Sequence, residues 1–171
     1  MMLTRAALFF LATTAAANAA CGPDQETFVS CRIADRGTLL AVCFDAQVAS
    51  YSYGPKGAPE LTLQEPVFTL DYTPWPGVGG AIWEEVTFYN GPYSYTVLGG
   101  FDRPMDDEQM EALVDRHFGG VVVRKNGTTL VELTCEPATV DFAWGEGLWD
   151  AKQDAGLSWN SYERIWVELP D

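Results

Sequence analysis

Val121-Val122-Val123-Arg124-Lys125-Asn126-Gly127-Thr128-Thr129-Leu130-Val131-Glu132-Leu133-Thr134-Cys135 is the stretch that sets the fold class. Two runs rich in β-branched residues, Val121 to Arg124 and Thr129 to Cys135, flank Asn126-Gly127. Asn and Gly both tolerate positive φ, which the tightest hairpin turn demands at its two central positions. The stretch predicts a β-hairpin, and the chain upstream repeats the pattern.

Ile82 to Tyr89 reads as a strand that turns at Asn90-Gly91 into Tyr93 to Leu98. Pro92, directly after that turn, has no N–H to give a ladder, so irregular pairing is expected there. Thr27 to Ile33 and Thr38 to Phe44 flank the turn signal Asp35-Arg36-Gly37 and predict another hairpin. Val48 to Tyr53 is a strand ended by Gly54-Pro55-Lys56-Gly57; Glu60 to Leu63 is a short one, and Phe68 to Tyr72 is a further candidate. Thr73 to Gly80 is a loop of Pro and Gly. Helical spacing occurs in two places. Asp106 to His117 follows Pro104, opens with acids that suit a helix N-terminus, places Met110, Leu113, Val114 and Phe118 on one face, and stops at Gly119-Gly120. Leu148 to Ala155 reads as a short helix stopped by Gly156, and Arg164 to Leu169 as a last edge strand. The expectation is a mainly β fold: a small antiparallel barrel or sandwich of about eight strands, one inserted helix over about 106–118, and a short C-terminal helix. Nothing splits residues 20–171 into two domains.

The first residues carry a leader pattern. Arg5 precedes the apolar run Ala6 to Ala12, and Ala17-Asn18-Ala19 has the small-x-small form of a cleavage site, so residues 1–19 are expected to be a signal peptide. The run is too short for a membrane anchor. Cys21 offers the alternative of a lipid-anchored cysteine, but Asn18 stands where such signals carry Leu, and lipidation would leave three cysteines. The expected location is periplasmic or secreted, without stable membrane insertion. There Cys21, Cys31, Cys43 and Cys135 form two disulfides in one of three pairings.

Nine Lys and Arg against 24 Asp and Glu remain after the leader, a balance of −15. Nucleic acid would be repelled, whereas a cationic protein would be steered in. The machinery of turnover is missing from the pattern. His117 is the only histidine, so neither a catalytic triad nor a zinc site suggests itself. Glu84-Glu85 lies on a strand and points to opposite faces, so the two carboxylates do not converge. A binding protein, not an enzyme, is expected, with no cofactor and no metal. Six tryptophans invite an aromatic binding surface, and Trp75, between two prolines in a loop, is the candidate to stack on an envelope glycan.

The order of segments resembles the membrane-bound or periplasmic C-type lysozyme inhibitor family. The resemblance runs from Phe28-Val29-Ser30-Cys31 through Val48-Ala49-Ser50-Tyr51-Ser52-Tyr53 and Glu60-Leu61-Thr62-Leu63. It continues with the turn Phe88-Tyr89-Asn90-Gly91, the strand Tyr93-Ser94-Tyr95, and the closing hairpin ending in Cys135. It covers Thr27 to Cys135 and implies an eight-stranded barrel whose first and last strands are tied by Cys31–Cys135, leaving Cys21 to pair with Cys43; the rival Cys31–Cys43 stays open. It also implies a binding surface around Glu84, Tyr93, Tyr95 and Leu98. Here the chain departs from the family: Glu84 and Glu85 stand in place of an inhibitory Ser-Gly, and Leu98 in place of a lysine. Two carboxylates would repel the catalytic acids of a lysozyme, so the barrel is carried over without that inhibitory contact.

Overall fold

The computed structural model describes residues 20–106, 116–145 and 147–169. The leader, residues 1–19, and most of the expected inserted helix, residues 107–115, lie outside the described residues.

Two five-stranded antiparallel sheets form the body. In the first, β1 (Glu26–Arg32), β2 (Leu39–Phe44), β3 (Val48–Gly54) and β4 (Leu61–Pro66) follow one another in order. In the second, β5 (Asp71–Thr73), β6 (Ala81–Asn90), β7 (Tyr93–Asp102), β8 (His117–Lys125) and β9 (Thr128–Thr134) do the same. After a 3-10 turn at Pro137–Thr139, β10 (Asp141–Phe142) adds to the outer edge of β1. The chain ends in the helix α1 (Leu148–Asp154) and a separate hairpin of β11 (Leu157–Asn160) and β12 (Ile165–Glu168).

The turns account for much of this order. Lys125 pairs with Thr128 across Asn126 (φ 48°) and Gly127 (φ 80°), the left-handed pair that a type I′ turn needs. The β6–β7 loop differs from the Asn90-Gly91 reading. Asn90 pairs with Tyr93, so Gly91 and Pro92 are the two loop residues. Gly91 takes φ 58° and proline's ring forbids a positive φ at the second position, as in a type II′ turn. Because Pro92 lies in the turn itself, no ladder bond is lost, and the β6–β7 register runs unbroken for ten pairs.

Three expectations are corrected. His117 and Phe118 belong to β8, not to a helix end, because His117 pairs with Phe101 of β7. Long-range pairing overrides the local helix signal there. Gly119 and Gly120 are strand residues and not a helix stop: a Cβ at Gly120 would meet the Leu133 carbonyl, and one at Gly99, the partner of Gly119 on β7, would lie 2.5 Å from the Phe142 ring. The candidate strand Phe68 to Tyr72 is shifted to Asp71–Thr73, since residues 67–69 turn the chain between the sheets.

The sheets do not close into a continuous barrel; they form a sandwich joined at one corner. Ile33 bridges to Cys135, the Glu136 N–H donates to the Arg32 carbonyl at 2.8 Å, and the Cys31–Cys135 disulfide lies beside them. Cys21 is bonded to Cys43 on β2. Both pairings are those that the resemblance implies. Between the sheets lie Phe28, Tyr51, Tyr72 and Phe88, all fully buried. Each side chain of this size contributes roughly 1.5–3 kcal/mol by leaving water. Phe28 meets Tyr72 and Phe142 edge to face at 6.1 and 5.9 Å, the arrangement favoured by the ring quadrupole. Among the described residues no helix is long and apolar enough to cross a membrane.

Candidate functional site

The C-terminal elements build a cleft against the edge of the second sheet. Asn160 makes the β11–β12 turn: its side-chain oxygen accepts from the N–H groups of Tyr162 and Glu163, and Arg164 takes φ 58°. The resulting register sets Trp159 directly opposite Trp166, with ring centroids 5.4 Å apart. Cross-strand partners share a face, so both indoles stand on one side of the hairpin.

That side faces β5. Trp166 stacks on Tyr72 at 5.7 Å and 19°, and its Nε1–H donates to the Tyr72 carbonyl at 2.8 Å. The bond caps a carbonyl on β5, the outer strand of its sheet. Trp149 of α1 meets Trp166 edge to face at 5.1 Å. Lys152, only 1% exposed, fixes the floor. Its Nζ donates to the carbonyls of Leu70 at 2.6 Å and Phe68 at 3.2 Å and lies 5.6 Å from the Trp166 ring centre. Burial pulls this ammonium down to about 8, with Asp71 opposing, while the two carbonyls give it the partners that a desolvated charge requires.

The space between hairpin and sheet edge has a volume of about 400 Å³. Trp159 and Trp166 give it an aromatic wall, and Asp71, Arg164 and Glu168 a charged rim. Asp71 is held in place by the Tyr89 hydroxyl, which donates to its Oδ2 at 2.6 Å. That bond, with burial and the Asp71 charge adding to it, pushes the phenol up to about 12. Glu85 of β6 lies within electrostatic reach of this rim; burial raises its carboxyl, Asp71 adds to the rise, and Arg124 and Arg164 oppose it.

The residues singled out in the sequence fall elsewhere. Trp75 is half-buried: its ring meets Trp144 edge to face at 6.2 Å, Arg103 lies 5.7 Å from its centre, and its Nε1–H donates to the Val78 carbonyl. Glu84 points into the core and is 5% exposed. Burial raises its carboxyl to about 7, while the Tyr72 hydroxyl and the Trp75 backbone N–H oppose the rise. The Tyr72 hydroxyl has no partner in good hydrogen-bond geometry, so its approach to Glu84 is an electrostatic contact more than a full bond. Glu84 thus meets the backbone of Trp75 and not a partner at the surface. Leu98 pairs with Glu85 and Gly120 in mid-sheet, and Tyr93 lies under the Lys125 ammonium at 5.2 Å. Tyr95 packs on Tyr51 at 5.5 Å, at the opposite end of the sandwich from the cleft. The cleft residues Trp159, Arg164 and Trp166 carry one readable sign, two tryptophans spaced evenly about Ser161 to Arg164.

No protein family, no curated protein and no solved structure matches the chain.

Proposed function

We propose that the protein is an exported binding protein that takes a carbohydrate in the cleft between β5 and the β11–β12 hairpin. The observation that carries this reading is the pairing of an indole wall, Trp159 and Trp166, with a rim of Asp71, Arg164 and Glu168. A pyranose ring needs both. Its axial C–H groups form an apolar face that rests on an aromatic plane, and its equatorial hydroxyls need charged donors and acceptors at the edge. A volume of about 400 Å³ accommodates one or two sugar units. Two disulfides favour an oxidising compartment, periplasmic or secreted, where envelope glycans are found.

The test is retention on purified peptidoglycan, with competition by soluble chito-oligosaccharides. Wild type and Trp75→Ala are retained, and Trp159→Ala passes through. Equal retention of wild type and Trp159→Ala, or retention of neither, defeats the reading.

The acid excess favours a second reading, a cationic protein as partner, since 24 acids face ten Lys and Arg over the whole sequence. On this reading a soluble lysozyme loses activity in the presence of the protein, and added salt restores it. Unchanged lysozyme activity at micromolar excess of the protein removes the inhibitor form of this reading.

A further inference from the structure

The sandwich has a second opening, at the end away from the C-terminal hairpin. Along β3 the inward positions pass from Ala49 and Tyr51, both fully buried, to the half-buried Tyr53. Along β8 they pass from Val121, buried, to the half-buried Val123. The core therefore thins toward this end, and a cleft of about 390 Å³ opens between the sheets. Leu61, Val123, Val131 and Leu133 supply aliphatic walls from β4, β8 and β9.

The polar groups at this mouth are of one kind. Tyr53 and Tyr95 are half-buried there, Tyr51 lies buried behind them, and Arg36, exposed in the β1–β2 turn, presents a guanidinium. Burial pushes the Tyr51 hydroxyl up, with Tyr95 and Tyr53 adding to the rise, so the phenol stays protonated and remains a donor. Among the described residues no Asp or Glu lines the cleft. In a chain with 24 acids, a mouth bearing only phenols and one arginine runs against the general charge. Asp35, Glu60 and Glu132 adjoin lining residues along the chain without lining the cleft themselves, and acids farther off are screened within about 8–10 Å at ordinary salt.

We propose that this mouth binds a small amphiphile with an anionic head, such as a medium-chain carboxylate. The hydrocarbon chain lies between Leu61, Val123, Val131 and Leu133, where it leaves water. The head meets Arg36, whose fork of N–H donors fits an oxyanion, and the phenol O–H groups. This site is separate from the sugar cleft and does not depend on it.

Isothermal titration calorimetry with decanoate, below its micelle concentration, tests the proposal against decyltrimethylammonium, which carries the same chain and the opposite charge. Decanoate is expected to saturate one site, with the ammonium at least tenfold weaker. Arg36 is exposed, so Arg36→Gln leaves the fold intact and is expected to weaken decanoate at least tenfold. Val131→Trp, which fills the mouth, is expected to abolish binding. The proposal is overturned if decanoate shows no saturable heat, if both amphiphiles bind alike, or if Arg36→Gln binds as wild type does.

Discussion

Glu84→Gln is expected to stabilise the protein in a strictly pH-dependent way. Glu84 lies on the inward face of β6, 5% exposed, and burial raises its carboxyl from the ordinary 4.5 to about 7. A difference of that size corresponds to about 3 kcal/mol at 25 °C. Below pH 4.5 the carboxyl is protonated in both folded and unfolded chains, and the position costs nothing. Between 4.5 and 7 the unfolded chain releases the proton while the folded chain keeps it. Stability therefore falls as pH rises, by up to about 1.4 kcal/mol per pH unit. Above 7 the folded chain carries a desolvated carboxylate and the loss is complete. Glutamine has the same shape and no charge, and its oxygen can still accept from the Trp75 backbone N–H. The assay is urea denaturation of both proteins from pH 4 to pH 8, read as the difference between them so that other titrating groups cancel. The variant should match wild type at pH 4 and exceed it by up to about 3 kcal/mol at pH 8. Parallel curves, or a variant less stable at pH 8, would mean that the Glu84 carboxylate is hydrated or paired in the folded chain and carries no such penalty.

Removing the disulfides should cost unequal amounts. Cys31–Cys135 spans 104 residues and Cys21–Cys43 spans 22, so loop-closure entropy assigns about 5 and about 3 kcal/mol respectively. Paired Cys→Ala variants in chemical denaturation check this, and a reversed order contradicts it. Gly120→Ala drives a methyl toward the Leu133 carbonyl and should lower stability by about 1–3 kcal/mol, measured the same way; an unchanged midpoint would show that β9 yields freely. Trp166→Ala removes the stack on Tyr72 and the bond to its carbonyl and should cost about 3 kcal/mol, whereas Trp159→Ala should cost less while losing sugar binding. Equal losses of stability would mean that the two indoles are both structural.

The fold was legible where the information is local. Asn126-Gly127 and Asp35-Arg36-Gly37 dictate backbone dihedrals within a few residues; beyond the first, β9 alternates in burial from Leu130 to Thr134, whereas β2, beyond the second, is buried without a break from Leu40 to Phe44. Gly156, at φ 85°, ends α1 as its sequence suggests. What escaped a sequence reading depends on distance along the chain. His117 looks like a helix end until Phe101 pairs with it. Lys152 looks like a solvated charge in the last turn of a short helix, yet its ammonium reaches carbonyls 82 and 84 residues earlier. Trp75 looks exposed between two prolines because Trp144, which covers part of it, lies far downstream. The cleft was hidden for the same reason: Trp166 acquires its place only when the tail folds back on Tyr72, 94 residues before it.

A sugar resting on the C-terminal hairpin must change the surroundings of its two indoles. Assigned indole N–H resonances, followed while a chito-oligosaccharide is titrated in, report on that contact residue by residue. The signals of Trp159 and Trp166 are expected to move together and saturate while those of Trp75 and Trp144 hold still. Movement confined to Trp75 and Trp144, or no movement at any tryptophan, would rule out sugar binding at the hairpin.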